Sequence, residues 1–321
     1  MKISPALLSA SQIAVRDCMG TKPGERVLIV TDEPLRIIGY ALWRAAKDLG
    51  TEAMIVEMLP RKTNGEEPPR EIAELMKMMD VVLCPTSKSL THTDSRRAAS
   101  EKGVRVATLP GVTEEIMVRC MNADYHQIAA RTFRICDEME KTSVVRVVAP
   151  CGTDITMPIK GRKAHASSGL FREKGLWGNL PTGESYLAPV EGQSQGTVVV
   201  DGSMAGVGMI HVPIRITVKD GYATDITGGD EAVRLLALLE PHGRDARTVA
   251  EFGIGTNDKA ILTGLIIEDE KVMGTIHIAF GDNKSMGGSV RVASHLDGLI
   301  KKPTVWFDDR KIMESGRLLV V

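Results

Sequence analysis

No charge of one sign dominates this chain: forty lysines and arginines stand against forty-one aspartates and glutamates, a net charge of −1. With no long basic or acidic run, nothing calls for nucleic acid or an anionic membrane as a partner. Apolar runs of membrane-spanning length are also missing. The start, Met1-Lys2-Ile3-Ser4-Pro5-Ala6-Leu7-Leu8, turns polar too soon for a secretory leader. The five cysteines, Cys18, Cys84, Cys120, Cys136 and Cys151, are odd in number and lack CxxC spacing. That argues against a disulfide framework and a thiolate zinc site, and makes a reducing cytoplasm the expected compartment. Serine-nucleophile GxSxG and metalloprotease HExxH patterns are absent too.

What is present is a change of texture along 321 residues, enough chain for two cores. From Glu25 to Pro110, short apolar runs such as Val27-Leu28-Ile29-Val30 and Asp80-Val81-Val82-Leu83-Cys84 alternate with amphipathic stretches such as Leu35 to Leu49. That rhythm predicts parallel strands joined by crossover helices. No glycine-rich turn follows any strand, and the first strand runs into Thr31-Asp32-Glu33-Pro34. The domain is therefore expected to be a scaffold or dimerisation unit with no nucleotide site. A helical stretch from Thr113 to Lys141 follows, and after Pro150 glycines and β-rich runs dominate, with one good helix at Glu231 to Leu239. The expected fold class is α/β: a mostly parallel α/β scaffold domain over residues 1–145, and a mixed α+β domain over 146–321 carrying the site. A closing hairpin is expected from Thr304 to the end.

Chemistry-bearing side chains concentrate in the second half. His295 and Asp297 are two apart, so in a strand both point to one face and can offer an imidazole nitrogen and a carboxylate oxygen to one cation. The same spacing also fits a polar pair at a strand end. His277 lies in Gly274-Thr275-Ile276-His277-Ile278-Ala279-Phe280-Gly281 and, alone, reads as a satisfied core histidine. Glu251 precedes Phe252-Gly253-Ile254-Gly255, where the glycines permit a tight turn or a close approach to a ligand. Glu184 sits in a loop between Pro181 and Pro189, where a lone glutamate is ordinarily on the surface. Together, Glu184, Glu251, His277, His295 and Asp297 suit one or two divalent ions of the zinc, cobalt, manganese or iron group. His92, His126, His165, His211 and His242 have no partner at ligand spacing. Glu268-Asp269-Glu270-Lys271 reads as a charged turn.

These blocks, with Asn179-Leu180-Pro181-Thr182-Gly183-Glu184, Glu251-Phe252-Gly253-Ile254-Gly255-Thr256-Asn257 and His295-Leu296-Asp297, resemble the ordered motifs of the thermophilic aminopeptidase family, aminopeptidases T and S. Cys151 to Ile159 and Gly196-Thr197 fit the same pattern. The resemblance spans most of residues 150 to 300 and is weaker before them. It implies a dimeric metallopeptidase with a co-catalytic metal pair held by Glu184, Glu251, His277, His295 and Asp297. In that reading the metals activate a water, lowering its pKa from ~15.7 towards ~7. Glu184 or Glu251 shuttles the proton, and the substrate is a peptide or other small molecule. Lys284 stands where the family pattern places an active-site tyrosine, which leaves open a metal-binding protein without peptidase activity. The same superfamily includes 2,5-dihydroxypyridine dioxygenase, a mononuclear iron enzyme with histidine in place of Glu251 and an apolar residue in place of Glu184. On carboxylate count the expectation is the hydrolytic metal pair, with iron-dependent ring cleavage through His277, His295 and Asp297 as the alternative.

Overall fold

A computed structural model describes residues 2–320. The chain forms two compact units, Met1–Gln127 with Gly169–Thr182, and Ile128–Ser168 with Gly183–Val321. The division expected near residue 145 thus falls earlier, and the first unit takes back a later segment. The reason is local. The helical stretch from Thr113 breaks into Glu114–Met121 and Tyr125–Glu140, and the division falls within the first turn of the second helix, between Gln127 and Ile128. The three-residue strand Trp177–Asn179, too short to leave a periodic signal, pairs with Arg105–Thr108.

In the first unit five parallel strands run in the order Glu52–Met58, Arg26–Asp32, Val81–Cys84, Arg105–Thr108 and Trp177–Asn179. The three central strands are buried nearly throughout, the pattern of parallel strands covered on both faces. Helix starts follow from polar caps: the hydroxyls of Ser4, Thr93 and Thr113 accept from the amides of Leu7, Arg96 and Ile116. The predicted mostly parallel α/β unit is what forms.

The second unit holds two sheets. One has eight antiparallel strands, in the order Tyr222–Thr227, Ile214–Lys219, Gln195–Val200, Asp154–Pro158, Val144–Val148, Thr304–Phe307, Arg310–Glu314 and Arg317–Leu318. The expected closing hairpin supplies its last three. The other sheet has, at its centre, His295–Lys301, Thr275–Gly281, Val249–Gly255 and Glu184–Leu187, paired antiparallel in that order. One hydrophobic core joins the two sheets, taking Val145, Val147, Ile155, Val198 and Ile216 from the first and Phe252, Ile254, Ile276, Ile278 and Phe280 from the second. Each such side chain contributes roughly 1.5–3 kcal/mol on burial. The Phe252 and Phe307 rings meet edge to face at 6.4 Å. The mixed α+β class expected of this half is thereby confirmed. Among the described residues no helix is long and apolar enough to cross a membrane.

Candidate metal centre

Strand alternation builds the site. Opposed residues in an antiparallel pair share a face. Gly255 lies opposite Glu184, Glu251 opposite Ala279, and Ala279 opposite Asp297, while Gly281 lies opposite His295 and Gly253 opposite His277. Glu184, Glu251, His277, His295 and Asp297 therefore all project from one face of the sheet. Phe252, Ile254, Ile276, Ile278, Phe280 and Ile300 project from the other, into the core.

One irregularity makes this possible. Val249 pairs with Phe280 but Glu251 pairs with Ala279, so Ala250 is an extra residue on its strand. Without that bulge Val249 and Glu251 would share a face. With it, Val249 joins the core side and Glu251 the polar side.

The glycines after Glu251 do not turn the chain, contrary to one sequence expectation; they lie inside the strand Val249–Gly255. Their missing side chains admit neighbours. A Cβ on Gly253 would lie 2.0 Å from Nε2 of His277, so the imidazole rests directly on that glycine. A Cβ on Gly255 would lie 2.2 Å from the carbonyl oxygen of Val272, so the backbone at residues 271–272 rests on the second. That approach brings Lys271, only 3 % exposed, over the sheet. Its Nζ donates to Glu184 Oε1 at 2.6 Å and also to Glu270.

The segment read as a solvated charged turn is thus buried, and Glu268 and Asp269 are fully enclosed. Their carboxylates fasten their own loop. Asp269 accepts from the amides of Thr263 and Gly264 at 2.7 and 2.8 Å, and Glu268 from Ile261 at 3.0 Å.

Two groups of donor atoms lie within 4.8 Å of one another: Glu184, Glu251 and His277, and Glu251, His295 and Asp297. His277 Nε2 stands 3.0 Å from Glu251 Oε1 and 3.6 Å from Glu184 Oε2. His295 Nε2 stands 3.1 Å from Glu251 Oε2 and 3.5 Å from Asp297 Oδ1. Donors held at about 2.1 Å from a common cation are separated by about 3.0–3.4 Å; the two Glu251 spacings fall in that range and those of Glu184 and Asp297 lie just beyond it, so small shifts bring the donors to coordination distance. Glu184 Oε2 and Asp297 Oδ1 are moreover buried without a hydrogen-bond partner, which fits oxygens reserved for a cation. His295 Nδ1 lies 2.7 Å from the Asp282 carbonyl, to which it donates, leaving Nε2 to face the carboxylates. The Asp282 loop is itself tied down, since Glu191 accepts from Asn283 at 2.9 Å and from the Ser289 amide at 2.7 Å.

The electrostatics agree. Burial alone would lower the His277 pKa, but its bond to Glu251 and the charges of Glu251, Glu184 and Asp297 raise it to about 9. Burial likewise opposes protonation of His295, and Asp297 and Glu251 outweigh it, holding that group well above the ordinary imidazole range. Burial pushes Glu251 up, yet both histidines hold it well below the usual carboxylate range. Without metal, protons supply the positive charge the carboxylates demand. That pairing stabilises the metal-free fold below the unfolded imidazole value and fades as pH rises through about 9. A metal must expel those protons, so metal affinity is expected to rise with pH up to about 9. Calorimetric titration in buffers of different ionisation enthalpy reads the released protons; a pH-independent affinity with no proton release contradicts this.

All five predicted donors converge. Lys284, by contrast, is exposed at the turn Lys284–Met286. His165 lies in the strand His165–Ser167, on the same sheet face, with its ring stacked on Tyr186 at 5.3 Å. Sequence reasoning missed Lys271, Tyr186 and the reasons for Gly253 and Gly255. The signal for Lys271 was present in a lone cation closing three consecutive carboxylates four residues before the Thr275–Gly281 strand.

A buried face of carboxylates and imidazoles near coordination spacing, carried on an antiparallel sheet of a chain that also holds a parallel α/β unit, is a candidate metal site. Residues 9–320 match the model of the family described as NicX, 2,5-dihydroxypyridine 5,6-dioxygenase, and the chain belongs to that family. A curated relative, 2,5-dihydroxypyridine 5,6-dioxygenase of Pseudomonas putida KT2440, is 23% identical over 248 residues, 71% of this chain and 68% of that protein. The solved structure of 2,5-dihydroxypyridine dioxygenase from the same organism superposes with a TM-score of 0.85 at 18% identity, covering 100% of this chain and 99% of the other. Wild-type AmpT from Thermus thermophilus shares the fold less closely, with a TM-score of 0.71 at 17% identity over 98% of this chain and 99% of that one.

The family match overturns the aminopeptidase expectation, and with it the hydrolase and protease chemistry and the peptide-cleaving proton shuttle assigned to Glu184 or Glu251. The inventory had counted every carboxylate as free. Glu184 already spends one oxygen on Lys271.

Proposed function

We propose that this chain is a ring-cleaving dioxygenase of hydroxylated pyridines that uses one divalent, non-haem iron. Family membership over residues 9–320 is the observation that carries the reading. The donor set supports it: imidazole and carboxylate ligands suit ferrous iron, and Glu251, His295 and Asp297 form a group free of the lysine. Bound iron would supply the activation of dioxygen and a Lewis-acidic anchor for a substrate hydroxyl.

The protein's own contributions follow from the geometry. Asp282 holds the His295 ring in the tautomer that offers Nε2. Asp297 and Glu251 supply negative charge that offsets the cation's. His277, fully buried and 3.0 Å from Glu251, fixes that carboxylate's orientation and can store a proton beside it. The stacked His165 and Tyr186 rings, on the same sheet face, offer a flat surface suited to an aromatic substrate. A homodimer is proposed as the working form, on the sequence resemblance to aminopeptidases T and S alone.

Anaerobic loading with ferrous iron, followed by addition of oxygenated buffer, should give oxygen uptake with 2,5-dihydroxypyridine and loss of its aromatic absorbance. No uptake with that compound or with a panel of other hydroxypyridines and catechols would sink the reading.

A further inference from the structure

Among the described residues three lysines or arginines are buried: Arg96, Arg105 and Lys271. Arg105 meets Glu25 at 2.6 Å, and Lys271 meets Glu184 at the same distance. Arg96, in the first unit, is only 5 % exposed and bonds no carboxylate. A charge taken out of water ordinarily needs a counter-charge. The Arg96 Nε donates to the Thr91 carbonyl at 2.8 Å, and the guanidinium lies over the Trp177 ring, 3.7 Å from its centroid. These contacts fix the plane of the group and leave both terminal nitrogens, Nη1 and Nη2, without a partner among the described residues. Neither nitrogen is sealed from solvent, so a ligand can reach it. Burial lowers the pKa of the group to about 10, which keeps it charged at neutral pH.

The start of the helix that carries Arg96, Asp94–Glu101, already has its anion, since Glu67 accepts from the amides of Asp94 and Ser95 at 2.5 and 3.1 Å. The guanidinium is the cation left over. Thr91 presents a second donor as well. Its hydroxyl donates to Asn179 Oδ1 at 3.0 Å, and the Thr108 hydroxyl reaches the same oxygen at 2.7 Å. With its oxygen so engaged, Asn179 has its Nδ2 to offer. Thr108 and Asn179 end the strands Arg105–Thr108 and Trp177–Asn179, and the carboxyl ends of parallel strands are where open α/β sheets receive ligands.

We propose that Arg96 anchors a carboxylate-binding site in the first unit, its Nη1–Nη2 edge taking both oxygens of a small organic acid and Asn179 Nδ2 assisting. A guanidinium held flat on an indole offers that edge as a rigid fork, the shape that a carboxylate matches with two parallel hydrogen bonds. One cation and one amide balance a single negative charge. A phosphate group, at about −1.5 to −2, would keep part of its charge uncompensated in so enclosed a place. The site takes no part in ring cleavage and is independent of the dioxygenase reading.

The test uses the full chain without added metal, so that no bound ion can take the acid. Acetate, benzoate, succinate and inorganic phosphate are titrated by calorimetry at neutral pH and constant ionic strength, and the Arg96 Nε–H resonance is followed by NMR. Saturable one-site binding of at least one acid is expected, with a shift of that resonance at the same midpoint and weaker binding of phosphate. Arg96→Lys keeps the charge and loses the fork, and should weaken the acid at least about tenfold. No saturable binding by any of the three acids, an unchanged affinity in folded Arg96→Lys, or a preference for phosphate would overturn the proposal. Should Arg96→Lys not fold, the wild-type resonance decides: binding that shifts it supports the site, and binding that leaves it unmoved places the acid elsewhere and defeats the proposal.

Discussion

Asp297→Ala should leave the protein folded and unable to hold its metal, with affinity reduced by at least about 10²-fold, since loss of outer partners alone costs 10–100-fold. Asp297 Oδ1 is a buried oxygen with no hydrogen-bond partner, 3.5 Å from His295 Nε2, so a cation is the partner it fits. Its neighbours in the strand, Leu296 and Gly298, face the other way, so truncation removes a ligand without opening the core. Metal analysis after dialysis at fixed free ferrous iron measures the loss, and circular dichroism shows whether the fold survives. Full occupancy in the variant would mean that the ion sits elsewhere. Under the proposed iron-dependent reading, oxygen uptake should fall to background in the same protein.

The second large effect comes from an atom the chain lacks. Gly253→Ala would place a methyl group 2.0 Å from Nε2 and 2.2 Å from Cε1 of His277, a ring with no exposed surface. The imidazole can move only by giving up Glu251, and its strand neighbours Ile276 and Ile278 are fully buried on the far side. Overpacking ordinarily costs about 1–3 kcal/mol, and the depth of this overlap puts the variant at about 3 kcal/mol or beyond, with loss of metal. Urea unfolding provides the measurement. Adding His277→Gly to Gly253→Ala should restore much of the loss, because the obstacle and the ring are the same contact. If Gly253→Ala is neutral, the ring does not lie on that glycine.

Much of this architecture could be read from residue order because strands announce themselves by period. Ile276, Ile278 and Phe280 alternate with His277 and Ala279, and His295 and Asp297 share a face by the same rule. The parallel first unit was legible in the same way, through compact runs such as Val81 to Cys84. What was illegible depends on contacts between distant segments. The bulge at Ala250 leaves no mark in composition, yet it decides which way Glu251 points. Lys271 was read as part of a charged turn: the run of carboxylates before it marks the segment as unusual, but only the distant Gly255 explains how it settles beside Glu184. The return of Gly169–Thr182 to the first unit hangs on three residues, Trp177, Gly178 and Asn179. The five donors were legible in the sequence, and the cation beside one of them was not.

The two-faced sheet bears on how such a site can diverge. Along Thr275–Gly281 and His295–Lys301, and along Val249–Gly255 beyond the bulge at Ala250, residues facing the core alternate with residues on the face that carries the candidate ligands. One set can therefore be exchanged while the other is left untouched: a histidine in place of Glu251 would leave Phe252, Ile278 and Ile300 packed as before. Relatives sharing 17–18% of their residues with this chain retain its fold over nearly their whole length. The alternation separates the residues that hold the fold from those that set the chemistry.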